Sequence, residues 1–95
     1  MKVQWTEEAK KRLEDIEVYI ARENPKAAQK IILTIVRKTA NQLSDYPASG
    51  KPGRLAGTRE LFISGSPYVV VYTVQHNIVT ILTVFHTAQD FPQKY

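Results

Sequence analysis

Val3 and Trp5 alternate with Lys2 and Gln4, a period of two that predicts a short opening strand. From Thr6 the period changes. Thr6 is a suitable N-cap, Glu7 and Glu8 fall in the first turn where the helix dipole favours negative charge, and Ala9, Leu13, Ile16 and Ile20 recur at spacings of three and four. This predicts a surface helix with one buried face. Asn24-Pro25 stops it and starts another, because the residue before proline is pushed out of the helical region while proline at the first helical position loses nothing. The second helix carries Ala28, Ile31, Ile32, Ile35, Thr39 and Leu43 on its apolar side and ends at Asp45-Tyr46-Pro47. So short a link predicts an antiparallel helical hairpin.

The glycine- and proline-marked stretch from Ser49 to Gly57 predicts a loop, and three strands follow it. Arg59 to Ser64 is the first, Gly65-Ser66-Pro67 turns it, and Tyr68 to Val74 is apolar at both alternations, as a central strand buried on two faces would be. The polar Gln75-His76-Asn77 connection pairs that strand antiparallel with Ile78 to Phe85. The order β-α-α-β-β-β predicts an α+β fold: a short N-terminal strand and an antiparallel helical hairpin packed on one face of an antiparallel sheet. No linker or repeat divides the chain, so residues 1–95 read as one domain.

Composition narrows the chemistry. Ninety-five residues can bury roughly 60 to 65% of the extended-chain surface in one small core. There is no cysteine, which excludes disulfides, thiolate metal sites and thiol nucleophiles. No run approaches the ~18 apolar residues of a membrane span, and the N-terminus lacks the basic-then-apolar order of an export signal, so a cytoplasmic location is expected. The net charge of +4 is uneven: the first 23 residues sum to −1 and the remaining 72 to +5, which places the basic excess in the second helix and around Gly53.

The stretch from Gly53 to Pro92 holds the residues that can carry chemistry. Arg54 and Arg59 flank a glycine-bounded loop and can converge on one anion if the loop folds back, with Lys51 as a third cation; the planar guanidinium fork matches phosphate. The other reading is that both arginines are solvated, one of them paired with Glu60 or an acid of the first helix. His86 ends the last strand with an intrinsic pKa suited to proton transfer, or else caps the sheet edge. Tyr68 and Tyr72 share a face and could stack bases if that face were open, or belong to the core. The two histidines form no metal motif, no cofactor-binding loop is present, and none is expected.

This order of elements, together with Gly57-Thr58-Arg59-Glu60-Leu61, Tyr68-Val69-Val70-Val71-Tyr72 and Val84-Phe85-His86-Thr87-Ala88-Gln89-Asp90-Phe91-Pro92, resembles the RelE/ParE superfamily of toxins from bacterial type II toxin–antitoxin modules over nearly the whole chain. The resemblance implies a growth-inhibiting toxin neutralised by a cognate antitoxin protein, without cofactor or membrane partner. The superfamily has two branches: ParE-like members poison DNA gyrase and are not nucleases, and RelE-like members cut mRNA on the ribosome. Under the RelE branch, Arg59 matches the strand arginine that stabilises phosphate and His86 the terminal histidine that moves a proton. A nuclease of that kind wants two proton-transfer groups. Here residues 47–58 hold no glutamate, Thr87 rather than tyrosine follows His86, and the one tyrosine near the C-terminus is Tyr95. The ending is closer to ParE-like toxins, so the gyrase branch is expected, with Lys51, Arg54, Arg59 and Tyr68 as target-binding residues.

Overall fold

A computed structural model describes residues 1–88. Strand β1 (Lys2–Trp5) leads into helix α1 (Glu7–Ala21), and helix α2 (Pro25–Asp45) returns beside it before four further strands: β2 (Lys51–Pro52), β3 (Arg59–Phe62), β4 (Tyr68–Gln75) and β5 (Ile78–His86). Both helices start as their sequences dictate. Thr6 Oγ1 accepts the Ala9 N–H at 3.1 Å, Asn24 Oδ1 accepts the Ala27 N–H at 3.1 Å, and Pro25 opens α2.

The five strands form one sheet in the order β1-β5-β4-β3-β2, with β4 in the centre. Three differences from the sequence reading stand out. The sheet is mixed rather than wholly antiparallel, because β1 runs parallel to β5, with Lys2 to Trp5 opposite Ile78 to Ile81. The expected 49–57 loop contains β2, whose two residues pair with Arg59 and Glu60. Strand β3 ends at Phe62 rather than Ser64, since Ile63 and Ser66 close the turn before β4, where Lys38 of α2 also donates to the Ser64 carbonyl and hydroxyl at 2.6 and 2.8 Å. The connection between β4 and β5 is a tight turn with His76 and Asn77 both at positive φ, as a twist-matched two-residue hairpin requires.

The helices cover one face. Ala9, Ile35 and Leu43 pack there against Leu61, Tyr68, Val70, Tyr72, Val79, Ile81 and Val84. The opposite face holds a smaller buried set of Val69, Val71 and Phe85, with Leu82 against it. A bulge between Val71 and Tyr72 breaks the β4 register with β5, and past it the strand emerges to exposed Val74 and Gln75. Strand β4 is therefore buried on both sides only through Tyr72.

Candidate functional site

Alternation along β3 divides the candidate residues between the two faces of the sheet. Leu61 points into the helix-facing core, so Arg59 shares its side and Glu60 and Phe62 lie on the other. Neighbouring residues of a strand cannot serve one site on one face.

Arg59 stands opposite Tyr72 across the β3–β4 pair. Its Nη1 donates to the carbonyl of Gly50 at 2.8 Å and to that of Ala48 at 3.3 Å. Tyr72 completes the arrangement, because its hydroxyl accepts the Gly50 N–H at 2.9 Å and donates to the Pro47 carbonyl at 2.8 Å. Burial raises the Tyr72 hydroxyl pKa above 10.0, while the Gly50 N–H and the Arg59 charge pull it the other way. Gly50 must be glycine here, since a Cβ would meet the Tyr72 hydroxyl at 2.5 Å. Arg59 and Tyr72 together thus fasten residues 47–50 to the sheet.

Lys51 and Arg54 lie on the opposite face. Lys51 stands across from Glu60 and places Nζ 4.5 Å from the centre of the Phe62 ring, while the Arg54 guanidinium sits 5.5 Å from the centre of the Phe85 ring. Glu60, only 1% exposed, accepts the Arg54 backbone N–H at 3.1 Å through Oε2, and the same oxygen is 3.7 Å from Arg54 Nε. The loop between them is closed by Gly53 N–H to the Thr58 carbonyl at 2.8 Å and by Thr58 to the Leu55 carbonyl. A side chain at Gly53 would collide with Thr58, and Gly57 has a φ of +80°. Arg54 therefore takes Glu60, the pairing left open by the sequence, and does not converge with Arg59.

His86 is at the far end of the helix-facing side, opposite Tyr68. Its Nδ1 accepts the Ala88 N–H at 2.9 Å and its ring meets that of Tyr68 edge-on at 5.3 Å. With Nδ1 accepting, Nε2 is the ring nitrogen left to donate. The two rings line a groove of about 440 Å³ with Arg12, Asp15, Ile16, Tyr19 and Ala88. Tyr68 is buried, and burial chiefly, with a smaller contribution from Tyr19, raises its pKa above 10.0. Tyr68 and Tyr72 are therefore core residues rather than an open stacking surface. The Tyr72 and Tyr68 registers are four residue steps apart along β4, so Arg59 and His86 are about 13 Å apart along the strand direction. Among the described residues no group of acidic and histidine side chains forms a metal cluster. The Gln89 to Pro92 motif and Tyr95 lie outside the described residues.

Sequence reasoning missed the Tyr72 clamp and the aromatic seats of the two cations. The signal for the first was present: a tyrosine in a strand buried on both faces must find partners for its hydroxyl. The second depends on which strands neighbour one another.

Comparison with known proteins gives a consistent picture. The family described as the ParE toxin of the type II toxin–antitoxin system parDE matches residues 3–91. The chain is 40% identical over 92 residues to Y4kP of Sinorhizobium fredii, named as a toxin, covering 97% of this chain and 94% of that protein. It is 36% identical over 87 residues to the toxin RelE2 of Caulobacter vibrioides, covering 92% and 96%. Among solved structures it resembles a chain of the chromosomal ParDE system from P. aeruginosa, with a TM-score of 0.81, 25% identity and coverage of 90% and 95%. A chain of the toxin–antitoxin complex RelBE2 from Mycobacterium tuberculosis matches with a TM-score of 0.68 and 28% identity, covering 93% and 92%.

Proposed function

Because the chain belongs to the ParE toxin family of type II toxin–antitoxin systems, we propose that it inhibits growth by poisoning DNA gyrase and is held inactive by a cognate antitoxin. The observation that carries this reading is the dispersal of the groups a nuclease would need. Arg59 is engaged by main-chain carbonyls, His86 has its Nδ1 engaged by the Ala88 amide about 13 Å away along the strand, and Lys51 and Arg54 occupy the other face. General acid–base cleavage requires these groups within hydrogen-bond reach of one phosphodiester. A binding toxin has no such requirement. Lys51, Arg54 and half-exposed Phe62 then form the target-binding surface, while Arg59 and Tyr68, also expected there, lie on the helix-facing side.

The antitoxin reading draws on the neighbouring structures, which are toxin–antitoxin assemblies, and on apolar side chains left exposed on the helical hairpin: Val18 and Tyr19 on α1, Leu33 and Val36 on α2. No described helix is long and apolar enough to cross a membrane, which is compatible with a cytoplasmic target. Purified protein is expected to inhibit gyrase supercoiling and to accumulate cleaved DNA; no effect at micromolar protein would remove the gyrase reading.

The likeness to RelE2 favours a second reading, a ribosome-dependent mRNA endoribonuclease using Arg59 for charge stabilisation and His86 for proton transfer. Its signature is mRNA cleaved in a translating extract and spared by His86→Ala. If Arg59→Ala and His86→Ala both retain full cutting, that mechanism fails.

A further inference from the structure

Glu60 is a buried carboxylate to which neither reading gives a role. It occupies the middle of β3 on the face whose neighbours are Val69, Val71 and Phe85, where an apolar side chain would match its surroundings but leave the Arg54 amide without its acceptor. Oε2 accepts the Arg54 amide and lies 3.7 Å from Arg54 Nε, whereas Oε1 is buried without a hydrogen-bond partner among the described residues. Lys51 stands directly across the β2–β3 pair. One carboxylate inside the sheet therefore underlies both cations of the exposed surface.

We propose that Glu60 is a positioning residue of the cationic surface: its carboxylate holds the main chain and the Nε edge of Arg54 so that the guanidinium is seated over Phe85. Arginine is rotamer-rich, and a partner that meets it already oriented is spared the entropy of ordering it. The closed Gly53–Thr58 loop keeps the Arg54 amide within reach of the carboxylate, and Lys51 is ordered on the same side by the Phe62 ring. This inference rests on the reading of Lys51 and Arg54 as the target-binding surface.

Two measurements test it. In the ¹⁵N–¹H spectrum, with the Arg54 Nε resonance assigned by its disappearance in Arg54→Ala, Glu60→Gln is expected to move that resonance toward those of solvated arginines. An unchanged resonance in a folded Glu60→Gln protein would overturn the proposal. Should Glu60→Gln not fold, hydrogen exchange on the unaltered protein decides: the Arg54 amide is expected to exchange at least about tenfold more slowly than the Ala56 amide, and equal rates overturn it. The functional arm is a double-mutant cycle in the gyrase and translation assays. Glu60→Gln is expected to raise the protein needed for half-maximal effect about tenfold, and to add less than about twofold in an Arg54→Ala background. Additive losses would make Glu60 merely structural. If Arg54→Ala alone loses nothing in either assay, the target-binding surface is wrong, while the Nε resonance still reports whether Glu60 holds Arg54.

Discussion

Tyr72 carries a hydroxyl into the apolar core, and burial obliges that hydroxyl to find partners. It finds the Gly50 amide and the Pro47 carbonyl, in a cavity too tight for any side chain at position 50. Tyr72→Phe leaves both groups short of a partner and is expected to cost about 1–3 kcal/mol, lowering the melting temperature by several degrees in thermal unfolding. The pH dependence has a definite sign. With its folded pKa raised above 10.0, the protonated tyrosine supports the fold fully below about pH 10, and that support is lost as pH rises from there through the folded pKa. Chemical denaturation across this alkaline window should show a shallower loss of stability in Tyr72→Phe than in the unaltered protein. His86 offers a sharper functional contrast. As a sheet-end residue packed on Tyr68, His86→Ala is expected to leave gyrase inhibition within about threefold, because removing a side chain away from a binding surface changes affinity little.

At the scale of elements, the two helix starts were legible as residues, but their consequences were not equal. Asn24 caps α2 within the hairpin alone, and Asn24→Ala is expected to cost about 1 kcal/mol in urea denaturation. Thr6 does more, because its hydroxyl accepts from Ala9 and also donates to the Leu82 carbonyl of β5 at 3.3 Å, while its backbone N–H reaches the Ile81 carbonyl at 3.1 Å. Thr6→Ala should therefore cost about 0.5–1.5 kcal/mol more than Asn24→Ala in the same experiment, the net worth of one further hydrogen bond. Equal costs would show that the link from the cap to the sheet contributes nothing. Strand β2 was not legible, because two residues including a proline carry no periodicity; it exists through its pairing with β3.

Across the whole molecule, the contact that closes the sheet joins its most distant parts, the parallel pairing of β1 with β5. Removing residues 1–5 would leave β5 as an exposed edge and uncover the core that Val3 and Trp5 help to cover. The expected outcome is loss of hydrogen-exchange protection across Ile78 to Ile81 and concentration-dependent association in sedimentation; unchanged protection there would mean that β1 is dispensable. Local patterning was enough for the two helices, the break at Asn24-Pro25 and the existence of β3, β4 and β5, because each follows from periodicity, capping or proline geometry, whereas the two-sided burial expected for Tyr68 to Val74 holds only through Tyr72. The tertiary structure alone decided that β1 lies parallel to β5, that Arg59 and Arg54 serve opposite faces, and that Lys51 and Arg54 rest on Phe62 and Phe85 around a buried Glu60. Local patterning fixes which side of its own strand a residue occupies. Which strands become neighbours, and so which charges and rings meet, depends on contacts between residues tens of positions apart, and no local pattern records them.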